Sequence, residues 1–506
     1  MNSLLAPITG GVQFILPEVT LIATVCVILF AAPFLVSEQG TAAPGLRHRW
    51  GWLALIGWGV AAAFWWNSPI RPETSGPFLL DDMAWSVRGL TLIIGALLSL
   101  IQWNQADDSR AAECQACLLA IGAGVNFTAS SNDLVLMFLG LELISIPTYL
   151  FLIMPRRDAP AQEATLKYFL LSVFSSALVL FGMSYLYGMT GTTRLEGIYD
   201  ALRRSDINTL PMPLVIAEVM IIAGLGFRIT AVPFHFYAPD VFQGCQVSGA
   251  ALLSVIPKIA GFTALARLLI VPLRIGDAGG GGGLDTGWLI VPATEPLLWW
   301  LAVLTMFTGN LLALVQTDIR RMLAFSSVSH AGYMLVGLTV GYHTTASPNG
   351  LEALGFYLAV YSVMTLGAFA ALAAAGRPDR KIETIDDLAG LARVQPGVAL
   401  MLAVCLFSLT GLPPTAGFLA KLELFLAAWG QGTESGRWLA ELLAVNAAIG
   451  AGYYLRLIAA IVLRDPVRTE AEPPEPPALL ALSICSAAVC VLFFMPGWLW
   501  DVVQRL

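Results

Sequence analysis

The stretch Leu134-Val-Leu-Met-Phe-Leu-Gly-Leu-Glu-Leu-Ile-Ser-Ile-Pro147 is apolar except for one carboxylate, Glu142, and two small polar breaks. Three other apolar stretches each hold or border a single cation. Lys258 sits in Ala250-Ala-Leu-Leu-Ser-Val-Ile-Pro-Lys-Ile-Ala-Gly-Phe262, and Lys421 follows Leu412-Pro-Pro-Thr-Ala-Gly-Phe-Leu-Ala420. Arg228 precedes Ile229-Thr-Ala-Val-Pro-Phe-His235. An ionised group near the centre of a bilayer costs about 2.5–3.5 kcal/mol on insertion scales. Several in one chain are stable only if they pair or line a hydrated path. The pattern predicts an all-α membrane protein that moves charge.

Composition agrees. Of 506 residues, 57% are hydrophobic and 12% charged, against about 25% charged in a soluble protein. The net charge of −7 says little about partners, because the charges are confined to short loops. No basic patch with interleaved aromatics appears, which argues against nucleic acid. The seven cysteines are an odd number, and most lie in apolar runs. Cys114 and Cys117 form a C-x-x-C, but one pair supplies two ligands where a structural zinc needs four. No iron–sulfur spacing, haem ligand pair or dinucleotide-binding glycine motif is present, so no cofactor is expected in this chain.

Apolar runs of spanning length give about fourteen transmembrane helices by the 20-residue criterion. They fall near 14–36, 50–66, 83–103, 111–129, 132–154, 161–188, 212–236, 247–273, 296–316, 320–342, 350–375, 397–428, 438–463 and 478–500. The N-terminus has no Lys or Arg before its first apolar run, so the first helix reads as retained and not as a signal peptide. Loops after odd-numbered helices carry the larger share of cations, among them Arg110, Arg156, Arg320, Arg321 and Lys381. Loops after even-numbered helices carry fewer, such as Arg71, Arg194 and Arg274. The positive-inside rule then puts both termini outside the cytoplasm. Trp65, Trp66, Trp299, Trp300 and Trp498 sit at segment ends, as an interfacial belt would.

Three loops stand out. Gly279 to Gly283 is a five-glycine run with no following G-K-[ST], hence a flexible linker. Pro473-Pro-Glu-Pro-Pro477 is a stiff connector. Between Arg377 and Pro396, Ile382, Ile385, Leu388 and Ala392 recur at helical spacing, which fits either a short amphipathic surface helix or a solvated loop.

Proline inside a helix removes a backbone donor and clashes one turn back. Phe227, Thr230 and Pro233 recur in the same order and spacing as Phe407, Thr410 and Pro413. The seventh helix should therefore break near Ile229 and the twelfth near Leu409, and Pro257 should kink the eighth just before Lys258. Paired interrupted helices in two halves point to a transporter built from inverted repeats, with its site at the interruptions. Helices 4–8 and 9–13 are the expected repeats. The corresponding units are residues 1–110, 111–275, 276–465 and a last helix in 466–506.

Gly226-Phe-Arg-Ile-Thr-Ala-Val-Pro-Phe-His-Phe-Tyr-Ala-Pro-Asp-Val-Phe-Gln-Gly244 resembles the seventh-helix signature of the antiporter-like membrane subunits of respiratory complex I. Asp318-Ile-Arg-Arg-Met-Leu-Ala-Phe-Ser-Ser-Val-Ser-His-Ala-Gly-Tyr333 resembles their tenth-helix signature, in the version of the subunit N group. The stretches around Glu142 and Lys421 match two more. The resemblance implies that Glu142 is the fifth-helix carboxylate, Lys167 the sixth-helix lysine, Lys258 the central lysine and Lys421 the terminal one. It further implies a bacterial inner-membrane subunit that pumps protons beside other membrane-arm subunits. NADH, FMN, iron–sulfur clusters and quinone would belong to partner chains.

Two departures from the family stand out. The family usually has Lys where this chain has Arg228, and arginine is not deprotonated in proteins. Arg228 can pair with Glu142 but cannot carry a proton. Gly244-Cys-Gln-Val-Ser-Gly249 replaces a Gly-Ala-Pro-Thr-Pro-type turn. Alternative functions are therefore a subunit of a multi-subunit cation/proton antiporter or membrane hydrogenase, and a spacer that has lost pumping. His330 reads equally as a proton relay or a hydrogen-bonded packing group, and His235, next to the break, reads slightly more as functional. Asp133 is expected to cap the fifth helix and Asp240 the second limb of the seventh. Glu423 points to another face from Lys421.

Overall fold

Apolar runs between Gly, Pro and charged punctuation become helices in the computed structural model. It describes residues 14–36, 42–68, 73–155, 158–204, 212–270, 295–341, 349–376, 382–466 and 473–504. The five-glycine run lies outside the described residues. The spanning helices are α1 Leu16–Leu35, α2 Leu46–Trp66, α3 Asp82–Gln102, α4 Ala111–Ala129, α5 Leu134–Ile153, α6 Ala159–Thr190 and α7, whose main limb is Met212–Arg228. They continue with α8 Val247–Leu265, α9 Glu295–Leu314, α10 Ile319–Val340, α11 Gly350–Ala375, α12 in two limbs Pro396–Thr410 and Ala416–Gly430, α13 Glu434–Leu463 and α14 Pro476–Phe494.

Ten of these are long and apolar enough to cross a membrane on their own. The other four are α2, α4, α7 and α12. Two of them, α7 and α12, miss the length because they are broken, as the prolines require. In α4 the buried Gln115, Asn126 and Thr128 dilute the hydropathy. The chain is an all-α, multi-pass membrane protein of fourteen spans with two inverted repeats.

Both breaks fall within one residue of their expected places, at Arg228 and after Thr410. Their register differs slightly from the sequence match. Thr230 and Gly411 are the residues that turn into the left-handed region, at φ 60° and 83°. Thr230 thus corresponds to Gly411, one position beyond Thr410. Glycine enters that region freely, whereas a β-branched residue there is strained. Thr230 is the one non-glycine at positive φ among the described residues. After its break α7 returns through a 3₁₀ turn, Phe234–Tyr237, and a short helix, Ala238–Gly244.

The repeats share a feature that the sequence did not announce. In the first, Leu134 N donates to Thr193 O and Leu195 N to Asn132 O. In the second, Ile319 N donates to Glu383 O and Ile385 N to Thr317 O. Each pair is a one-rung β-bridge, Asp133 with Arg194 and Asp318 with Thr384. Each ties the loop after the repeat's third helix to the start of its second. Asp133 caps α5 as expected, accepting from Val135 N at 2.8 Å, and Asp318 caps α10 by accepting from Arg321 N at 2.9 Å.

That pin explains where the 377–396 expectation differs from the structure. Ile382, Ile385, Leu388 and Leu391 are buried. They pack a 3₁₀ turn, Ile385–Leu388, and one helical turn, Leu391–Val394, onto the end of the bundle. Over its described part, from residue 382 on, the segment is neither a free amphipathic helix nor a solvated loop.

Burial is uneven. Every residue in the most apolar stretch of α8 and of α10 is buried, against 22% of the residues in that of α1. The central helices carry Lys258 and His330, so the polar line runs through the middle of the protein. A second buried charge pair lies among the N-terminal helices. Arg88 of α3 donates from Nε to Glu18 Oε1 at 2.7 Å and from Nη2 to Oε2 at 2.5 Å.

Candidate functional site

Arg228 ends the main limb of α7, and its guanidinium reaches across to α5 and α6. Its Nη2 donates to Glu142 Oε1 at 3.1 Å and to Ser176 Oγ at 3.3 Å. Its Nη1 donates to Leu141 O at 3.1 Å. Ser176 Oγ donates to Glu142 Oε1 at 2.5 Å. The predicted Arg228–Glu142 pair is therefore formed, with a hydroxyl inserted beside it. The arginine is buried, while 26% of the Glu142 side chain faces outward from the chain.

The groups freed by the α7 break find partners close by. Val232 N donates to Thr305 Oγ1 at 3.0 Å, and Tyr237 OH donates to Phe227 O at 3.1 Å. Tyr237 also stacks on Phe227 with ring centroids 4.4 Å apart. Satisfying freed backbone groups inside the protein is what permits a broken helix at membrane depth.

Lys258 is completely buried in the middle of α8. Its Nζ donates to Ser327 Oγ at 2.5 Å and lies 5.9 Å from the centre of the Tyr361 ring. Tyr361 OH donates to the same serine at 2.9 Å. Lys421 is buried on the second limb of α12. Its Nζ donates to Leu409 O at 2.9 Å and Thr410 O at 2.7 Å, the last carbonyls of the first limb. A cation at the C-terminal end of a helix also gains from the helix dipole. Its other neighbour is Tyr333, 5.2 Å to the ring centre. Among the described residues neither lysine has a carboxylate partner.

His330 stands between the two. One ring nitrogen, Nδ1, meets Tyr357 OH at 2.7 Å, and the other, Nε2, meets Tyr454 OH at 3.0 Å. Its ring centre is 5.0 Å from that of Tyr361, beneath Lys258, and 5.5 Å from that of Tyr333, beneath Lys421. The structure thus brings Lys258, His330 and Lys421 into one buried line bridged by tyrosines and Ser327.

Two further sequence candidates lie apart from both that line and the Arg228–Glu142 pair. Lys167 is 40% exposed and bound by Glu163 and Asp240, each at 2.8 Å. It lines a cavity of about 410 Å³ at the bundle end together with Gln243, Arg320 and Glu383. His235 lies in the 3₁₀ turn after the α7 break, half-buried, with its Nδ1 lacking a hydrogen-bond partner among the described residues. Asp240 is not the cap of the returning limb. Tyr237 occupies that position, and Asp240, in the first turn, pairs with Lys167 and with Arg321 at 2.7 Å. Sequence reading also missed Tyr357, Tyr361 and Tyr454. The four-residue spacing of Tyr357 and Tyr361 on α11 was the available signal, since it places both hydroxyls on one helix face.

The sequence profile of the family described as "NADH:quinone oxidoreductase/Mrp antiporter, TM" matches residues 131–445. NADH-quinone oxidoreductase subunit N of Trichlorobacter lovleyi is 35% identical, over 98% of this chain and 97% of its own length. The chain belongs to the subunit N family of NADH-quinone oxidoreductases. NAD(P)H-quinone oxidoreductase subunit 2 of a Synechococcus species is 36% identical over 85% of this chain and 80% of its own. A chain of respiratory complex I from Thermus thermophilus superposes with a TM-score of 0.78 at 29% identity, covering 97% of this chain and 99% of that one. A chain of the Mrp complex from a Dietzia species gives a TM-score of 0.77 at 20% identity over 96% of each, a likeness of fold.

Proposed function

We propose that this subunit N family member carries protons across a bacterial inner membrane, coupled to electron transfer from NADH to quinone in partner subunits. The observation that carries the reading is the pair of buried lysines that have no carboxylate partner among the described residues. A buried unpaired charge is costly, and lysine, unlike arginine, can shed it by releasing a proton. Serine and tyrosine hydroxyls accept as well as donate, so they serve a lysine in either state. In this reading Glu142, Lys258, His330 and Lys421 carry or pass protons. Arg228 is a fixed counter-charge for Glu142. Lys167 acts at the open cavity, and His235 lies beside the α7 break.

The repeats are taken as 111–275 and 276–465, flanked by N-terminal helices in 1–110 and the last helix in 466–506. The chain's own donor set suits proton transfer; flavin, iron–sulfur clusters and quinone are assigned to the partners. The excess of Arg and Lys in odd-numbered loops supports a periplasmic location for both termini.

Lys258→Ala in the assembled complex tests the reading. Proton pumping measured in liposomes should be largely abolished, with quinone reduction slowed alongside. An assembled variant that pumps normally would overturn it.

A further inference from the structure

Three buried glutamines lie where α3 ends and α4 and α8 begin, two of them in contact. Gln102 is the last residue of α3, Gln115 lies in the first turns of α4, and Gln246 immediately precedes α8. Their exposures are 1%, 2% and 6%. Gln246 Nε2 donates to Gln102 Oε1 at 2.9 Å, and Ser248 Oγ donates to the same oxygen at 2.5 Å. One turn earlier on α3, Ser99 O accepts from Gln115 Nε2 at 3.2 Å, and Ser99 Oγ accepts from Trp58 Nε1 at 3.0 Å.

These bonds leave three atoms without partners among the described residues: Gln102 Nε2, Gln115 Oε1 and Gln246 Oε1. A buried amide group left unpaired pays its full desolvation penalty with no bond to offset it. Gln102 Nε2 and Gln246 Oε1, on two side chains joined by a hydrogen bond, are one free donor and one free acceptor, the complement of a water molecule that accepts one hydrogen bond and donates another. Buried waters make roughly two to four such bonds.

We propose that this junction holds a buried water, and that this water is the intake position from which protons reach Lys258. The proposal rests on the proton-carrying reading given above. From the junction α8 runs without a break to Lys258, ten residues past Ser248, about 15 Å deeper at 1.5 Å per residue. Ser254 lies on that stretch, and Tyr361 OH donates to its carbonyl at 3.2 Å as well as to Ser327, the partner of Lys258. A hydrogen-bonded water passes a proton by receiving one as it gives up another. The site therefore keeps no lasting charge and needs no ionisable side chain. It also gives α3, a helix outside both repeats, a part in proton uptake.

The test uses the whole complex in liposomes. Cryo-EM density of the parent should contain a water within hydrogen-bonding distance of Gln102 Nε2 and Gln246 Oε1. A dry junction overturns the proposal, whatever any variant does. Gln102→Leu nearly conserves volume and removes the free donor; Gln246→Leu serves if that variant does not assemble. The assembled variant should lose the water and pump about fivefold more slowly, equivalent to about 1 kcal/mol. Its H₂O/D₂O pumping ratio should rise above that of the parent, which a merely structural role would leave unmoved. Parent pumping and an unchanged ratio in the assembled variant overturn the intake role. Lys258→Ala separates the two readings. Normal pumping in that variant removes the proton-carrying function itself, whereas a dead Lys258→Ala beside a normal Gln102→Leu removes only the intake position.

Discussion

A charge that cannot leave and a charge that can leave play different parts in the same membrane. Arg228 holds Glu142 through one nitrogen at 3.1 Å and shares Ser176 with it. Arg228→Lys keeps charge and pairing, so pumping assayed in liposomes should stay near the parent value. Arg228→Ala leaves Glu142 with Ser176 alone, and pumping should drop roughly ten- to a hundredfold, by the order of a charged hydrogen bond of about 1.5–3 kcal/mol. Equal pumping by both variants would remove the pairing role. At Lys421 the expectation reverses: Lys421→Arg conserves the charge on Leu409 O and Thr410 O but cannot release a proton, so it should fail as Lys421→Met does. Pumping by the arginine variant would mean that Lys421 only neutralises the helix end. These residues were legible in the sequence because a lone charge in an apolar run needs a reason. The hydroxyls of Ser327, Tyr357, Tyr361 and Tyr454 were not, since such groups are ordinary in membrane helices. Lys167 came only from resemblance, and its place beside an open cavity depends on the return of α7 to the bundle end.

At the scale of the element, the two broken helices use different residues for the same bend. The prolines announced both breaks, but the one-position offset was invisible because the match rested on residue types and not on the residue that enters positive φ. Gly411 is required twice over. Its φ is 83°, and a Cβ there would come within 2.8 Å of Lys421 Cδ. Gly411→Ala should cost about 1–2 kcal/mol from the backbone and displace the lysine from its carbonyls, so pumping should fall in an assembled complex. Gly432→Ala is the matched control, with φ 71° and open space around its Cβ. It should carry the backbone cost and leave pumping intact; a similar fall in both would assign the effect to the backbone alone. The β-bridges that pin each repeat's loop were not legible, because a single rung leaves no periodic signal in sequence.

Across the whole molecule, the Glu18–Arg88 pair fastens α1 to α3. Both side chains are almost fully buried, and removing one partner of such a pair typically costs about 3–5 kcal/mol. Glu18→Leu should lower the amount of subunit found in the assembled complex, and adding Arg88→Leu should recover much of it. No recovery on the paired replacement would mean that the charges do more than hold each other. Ten of the fourteen spans meet length and hydropathy on their own, and the Gly, Pro and charged punctuation sets off the rest, whereas this pair was hidden by its distance in sequence. The tyrosine-bridged line between the lysines has an electrical consequence. On α10 its contact points run from Ser327 to Tyr333, which is about 9 Å along the helix axis. The hydrocarbon layer is about 30 Å thick, so a charge passing from one lysine to the other crosses about a third of the field at most. At 100 mV that is about 0.7 kcal/mol of the 2.3 kcal/mol for a full crossing. Membrane voltage therefore acts chiefly on the steps that load and unload the line, and the transfer between the lysines bears the smaller share of it.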